Sequence, residues 1–153
     1  MTVILDTNVL SELRKSACNP SVRAWADTQA TDGLFISAIT VLEIQHGITL
    51  LDLRGDAAQA QVFARWLDEL VLPAFERRIL PVDHIVARRA ARLRWPDGKD
   101  CRDPLIAATA LVHDAVVVQR QLLWPVGVNQ IGRSPSNRPA GLMAWWTPPL
   151  RCG

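Results

Sequence analysis

Three acids of this 153-residue chain fall where carboxylate chemistry is easy to place: Asp6, Glu43 and Asp103. Asp6 directly follows the apolar run Thr2–Leu5, where an ionised group is costly to desolvate unless it has a partner or a task. Glu43 lies in a helical pattern that follows the apolar run Leu34–Ser37, and Asp103 stands immediately before Pro104 and a further apolar stretch. Acids of one sign brought together repel and raise one another's pKa, so a bound cation is the best reason for gathering them. All-oxygen donors suit Mg²⁺ or Mn²⁺ rather than zinc. Such ions activate water and neutralise charge at a phosphodiester. Taken singly, each acid has a plainer explanation, Asp103 as a helix N-cap and Glu43 as a first-turn acid favoured by the helix dipole. Their common position gives them weight together.

That position follows from the elements. Thr2–Leu5 reads as a buried strand followed by a turn, Leu34–Ser37 as a second strand, Arg78–Val82 as a third and Ala115–Val118 as a fourth. Asn19-Pro20 opens a helix running to about Ala30. From Thr40 the apolar positions Val41, Leu42, Ile44, Ile48 and Leu51 recur at helical spacing, which puts Glu43 in a first turn. Asp56 caps a helix with Val62, Phe63, Trp66, Leu67 and Leu70 inward, ended by Pro73. His84–Trp95 reads as an arginine-rich helix with Ile85, Val86, Ala90 and Leu93 inward, and Asp103 as the cap of a helix reaching His113. Strands separated by helices predict an α/β fold, a parallel sheet flanked by helices on both faces. In such a sheet ligands gather outside the carboxyl ends of the strands, and all three acids are expected at that edge.

The segments around the acids resemble a known family. Val3-Ile4-Leu5-Asp6-Thr7-Asn8-Val9-Leu10-Ser11-Glu12-Leu13 is similar to the opening of a PIN-domain ribonuclease of the VapC toxin type. Ile36-Ser37-Ala38-Ile39-Thr40-Val41-Leu42-Glu43-Ile44-Gln45-His46-Gly47-Ile48 resembles its second motif, and Asp103-Pro104-Leu105-Ile106-Ala107-Ala108-Thr109-Ala110 its third. The resemblance implies a PIN-like three-layer α/β/α fold over residues 1–120. It implies a magnesium-dependent (or manganese-dependent) endoribonuclease toxin of a type II toxin–antitoxin pair, which hydrolyses RNA by metal-activated water. On this basis Asp6, Glu43 and Asp103 are the catalytic and metal-site acids, while Thr7, Asn8 and Thr40 are polar supports. Glu12 recurs in the resemblance and reads as either a structural residue or a support behind the metal-site acids, and Arg120 matches a family arginine that could contact substrate. A cognate antitoxin, a homodimer and a cytoplasmic location are implied by the same resemblance.

The chain departs from the family after the fourth strand. Family members continue with a Thr-Arg-Asn segment and a nearby acid, whereas here Gln119-Arg120-Gln121-Leu122-Leu123-Trp124-Pro125 follows and no acid comes after Asp114. Residues 121–153 carry Pro125, Pro135, Pro139 and the Pro148-Pro149 pair and keep no apolar period, so an irregular tail is expected. The abrupt change near Val118–Gln121 suggests a departure from the ancestral reading frame. Three acids in place of four predict weak or absent nuclease activity. The alternative to a toxin ribonuclease is an inactive PIN domain that binds an antitoxin or RNA.

Composition narrows the remaining classes. The net charge of +2 divides unevenly, because all 15 acids lie at or before Asp114 while Arg120, Arg133, Arg138 and Arg151 follow it. The faint basicity therefore belongs to the tail and says little about RNA binding by the fold. Cys18, Cys101 and Cys152 make neither a disulfide framework nor a zinc spacing. No apolar run is long enough for a membrane helix. Glu43-Ile44-Gln45-His46 has the spacing of a di-iron helix but lacks a second copy. Arg88, Arg89, Arg92 and Arg94 read first as a solvated helix face.

Overall fold

The computed structural model describes residues 1–93, 101–119 and 122–124. Strands β1 (Thr2–Leu5), β2 (Leu34–Ser37), β3 (Ile79–Leu80), β4 (Ala115–Gln119) and β5 (Leu122–Trp124) form one sheet in the order β3-β2-β1-β4-β5. β1, β2, β3 and β4 are parallel, and β5 runs antiparallel to β4. The chain thus winds outward from β1 to β3, then crosses back to place β4 on the other side of β1. This reversal opens a crevice at the carboxyl ends of β1 and β4, the usual place for a ligand in an open parallel sheet.

Helices α1 (Thr7–Leu13), α2 (Pro20–Asp27), α3 (Ala38–Leu53), α4 (Ala57–Arg65), α5 (Leu72–Ala74), α6 (His84–Arg92) and α7 (Arg102–Val112) join the strands. The sheet's alternation divides the core. Val3, Leu5, Ile36 and Val118 pack with Val9, Ile44, Ile48, Phe63 and Leu67 on one face. Ile4, Ala115 and Val117 pack with Ile39, Ile106 and Ala110 on the other. Val86 and Ala90 of α6 meet Ala108 of α7 in a further apolar layer. The expected α/β/α layering is present, because each strand is apolar on both faces.

Several local boundaries differ from the sequence reading. Asp6 does not lead into a plain turn; it caps the two-turn helix α1. α2 ends at Asp27 rather than near Ala30. α3 starts at Ala38, two residues early, because the Ser37 side chain accepts from Ile39 N and supplies the cap. It closes at Gly55, whose φ of 83° lets the amides of Gly55 and Asp56 return to the carbonyls of Asp52 and Leu51. β3 is two residues long rather than five, and α6 stops at Arg92.

Pro73 does not end its helix. α4 passes into a π-helical turn (Trp66–Val71) and then α5, which contains Pro73. A proline has no amide to donate and crowds the carbonyl four residues back, and the wider turn immediately before it absorbs that misfit. The turn also rotates the inward face. Phe63, Leu67 and Val71 are buried, whereas Leu70 is exposed and Trp66 is only partly covered; Val62, ahead of the turn, is exposed as well. Ile85 likewise faces out while Val86 and Ala90 face in.

β5 falls inside the segment expected to be irregular. Its backbone pairs Gln119 with Leu122 and Val117 with Trp124, extending the sheet past residue 120. Residues 125–153, Arg120 and the segment 94–100 lie outside the described residues.

Candidate active site

The carboxyl edge of the sheet is built from three chain segments. At the end of β1, the Asp6 amide donates to Val118 O of β4 at 3.1 Å, which fixes the residue over the crevice. Its side chain caps α1, with Oδ1 accepting from Thr7 N at 2.8 Å and Oδ2 accepting from Asn8 Nδ2 at 3.2 Å. Glu43 reaches the same edge from α3, two residues deeper in the helix than expected and so past its first turn, since the helix begins at Ala38. A dipole-favoured first-turn acid therefore does not describe it. Its Oε2 accepts a short hydrogen bond from Thr7 Oγ1, which ties α1 to α3.

Asp103 comes from α7, which runs back along β4 and so begins beside that strand's carboxyl end. The capping role expected for Asp103 falls instead to Cys101, which makes no side-chain cap bond, and Asp103 lies inside the first turn. Pro104 then occupies a position whose amide has no helical partner in any case. Asp103 is thus released from capping and half-buried.

Charges on these segments act on Glu43. Burial pushes the Glu43 carboxyl up from its ordinary value, the Thr7 hydroxyl pulls it down, and the negative charges of Asp6 and Asp103 push it up again. The Arg102 guanidinium opposes them. A half-buried carboxylate thus carries two further carboxylates within its field, an arrangement that repels unless positive charge is supplied.

Thr40 and Glu12 act elsewhere. Thr40 is fully buried, and its hydroxyl donates to Leu5 O at 3.4 Å, so it joins α3 to the end of β1. Glu12 is 6% exposed and binds Asn19 N at 3.0 Å and Lys15 Nζ at 2.7 Å, so it fastens the loop between α1 and α2. Arg120 lies outside the described residues. Arg102 was not among the expected site residues. The available signal was a cation at the start of a helix, where the dipole disfavours it.

The carboxylate oxygens of Asp6, Glu43 and Asp103 are donors of the kind that a hard divalent cation takes. Among the described residues, no three Asp, Glu, His or Cys side chains close on a point as a finished cage.

A sequence profile of the family described as PIN domain matches residues 3–120. The chain belongs to the PIN-domain family. The matched span contains the crevice and all three acids. Among curated relatives, this PIN domain is 39% identical to Toxin FitB of Neisseria gonorrhoeae, over 77% of this chain and 86% of that one. It is 37% identical to VapC ribonuclease Y4jK of Sinorhizobium fredii, over the same shares. Among solved structures it resembles the crystal structure of FitAcB from Neisseria gonorrhoeae, with a TM-score of 0.66 and 37% identity over 78% of this chain and 87% of that one. No helix among the described residues is long and apolar enough to cross a membrane.

Proposed function

We propose that this PIN domain is a divalent-metal-dependent endoribonuclease toxin, acting in the cytoplasm and held in check by a cognate antitoxin. The observation that carries the reading is the placing of Glu43 within the fields of Asp6 and Asp103 at the carboxyl edge of the sheet. The relatives named as a toxin and a ribonuclease support it. Asp6, Glu43 and Asp103 would hold Mg²⁺, or Mn²⁺ in its place. When bound, the ion supplies charge neutralisation at the scissile phosphate and a more acidic water.

The chain's own residues do the positioning. Asn8 and the Thr7 amide orient the two oxygens of Asp6. The Thr7 hydroxyl donates to one Glu43 oxygen and favours the ionised form, offsetting part of the upward push of burial. Thr40 fixes the approach of α3 to β1 through Leu5 O. Arg120 would contact the RNA backbone, and a homodimer is the working assembly. No acid follows Asp114, where the family carries a further one, so turnover is slow on this reading. Incubating the chain with an RNA pool in Mg²⁺ and in EDTA tests the reading. Cleavage only in Mg²⁺, lost in Asp103→Asn, is expected. Binding of RNA or antitoxin without any cleavage would favour an inactive PIN domain instead.

A further inference from the structure

Helix α6 carries Arg88, Arg89 and Arg92 and no acid. Its apolar face, with Val86 and Ala90, packs on Ala108 of α7. Arg88 and Arg92 stand on the opposite face and are exposed, with the small exposed residues Ala87 and Ala91 beside them, while Arg89 is half-buried. None of the three arginines makes an ion pair or hydrogen bond among the described residues. Asp83, the acid at the head of the helix, is taken up by the amides of Ile85 and Val86 that it caps. In sequence, segment 94–100 adds Arg94 and Lys99 against Asp97 and Asp100, so it brings no net charge to offset them. Like charges four residues apart on a helix repel. The negative end of the helix dipole amounts to about half a unit charge, which offsets only part of three guanidiniums. The face is left with a positive field that α6 itself does not complete.

The spacing favours one kind of anion. Residues four apart on a helix are separated by a rise of about 6 Å, of the order of the step between neighbouring phosphates on an extended single strand. Guanidinium forks match phosphate oxygens. α6 packs along α7, whose first turn holds Asp103. α7 has 11 residues and is about 16 Å long, so a strand lying on α6 reaches the acid crevice within a few nucleotides, whichever way the two helices run. We propose that Arg88 and Arg92 bind successive phosphates of the RNA strand that flanks the scissile bond. The inference rests on the ribonuclease reading above and deepens it by placing the substrate. Backbone contacts of this kind position the strand and carry no sequence preference.

The test is fluorescence anisotropy of a labelled single-stranded RNA with the full chain in EDTA, over about 50 to 200 mM salt. Arg88→Gln/Arg92→Gln should bind at least about tenfold more weakly at the lowest salt, and its log–log salt slope should be shallower by about 1.4, two contacts at about 0.7 each. Arg88→Lys/Arg92→Lys should stay within about threefold of wild type, because a phosphate also accepts a point charge. Arg54→Gln/Arg65→Gln removes the same charge from exposed positions at the ends of α3 and α4 and should stay within about twofold. Thermal melts identify any variant that fails to fold. Equal affinity and slope in wild type and the Arg88/Arg92 glutamine variant would overturn the proposal, as would an equal loss in the Arg54/Arg65 variant, and both results leave the ribonuclease reading standing. Unchanged RNA affinity with lost binding to polyglutamate would assign the face to an acidic protein and overturn the proposal too. A wild-type chain that binds no RNA at any salt would remove the ribonuclease reading, and the proposal with it.

Discussion

Replacing Thr7 with valine tests the link between α1 and α3 that positions Glu43. Valine keeps the branched shape and deletes only the hydroxyl that donates to Glu43 Oε2. A hydrogen bond to a charged group contributes about 1.5–3 kcal/mol when it is shielded. Both residues are half-buried, so water recovers part of the loss, and a cost of about 1–2 kcal/mol is expected. For a chain of this size that lowers the melting temperature by roughly 3–8 °C. The pH dependence separates this cause from lost packing. Glu43 titrates above its ordinary value of 4.5 in the folded chain because burial outweighs the Thr7 bond. A raised folded pKa means that stability is lost as pH rises through it. Thr7 limits that loss by favouring the ionised form, and Thr7→Val enlarges it. The deficit of the variant should therefore be small in acid, where Glu43 is protonated in both proteins, and reach its full size near neutrality. Melts in EDTA over pH 4–8, with Thr7→Ser as the hydroxyl-retaining control, read it out. Equal melting temperatures at every pH would refute the reasoning, as would a Thr7→Ser variant as unstable as Thr7→Val.

The same field predicts that Glu43→Gln raises the melting temperature of the metal-free protein near neutral pH, since it removes a charge that burial, Asp6 and Asp103 all disfavour. The gain should vanish in acid, and a variant less stable than wild type at neutral pH would contradict it. Glu12→Ala should cost about 1–2 kcal/mol in urea unfolding through the lost bond to Asn19 N. Lys15→Ala should cost less than about 0.5 kcal/mol, because Lys15 is exposed and its ion pair is largely screened.

The sheet and its edge were legible in the sequence because short apolar runs, N-capping side chains and Asn-Pro or Asp-Pro pairs are local signals. Asp6 could be placed at a strand end from four preceding residues alone. Glu43 was misplaced by two residues along its helix because the cap that starts α3 is Ser37, which the sequence also offers as the last residue of a strand. The face of α4 was misread past Phe63 for a different reason. A π-helical turn changes the residue count per turn, and no period of 3.6 anticipates it. Arg102 was missed because its meaning depends on Glu43, 59 residues earlier in the chain, and only the packing of α7 on α3 brings the two together. Thr40 was expected as a polar support, and its bond to the backbone of β1 was not legible because side-chain direction rather than spacing fixes it. β5 went unrecognised because three residues carry no usable period.

The central claim is that the crevice between β1 and β4 is a metal-dependent ribonuclease site. A Mg²⁺ titration of single-turnover cleavage of end-labelled RNA, run side by side for the full chain and Asp6→Asn, tests it most directly. Slow cleavage that rises with Mg²⁺ in wild type and falls at least about 100-fold in Asp6→Asn is the predicted result. Cleavage that persists in EDTA or in Asp6→Asn, or no cleavage by the wild-type chain at any Mg²⁺ concentration, would contradict it.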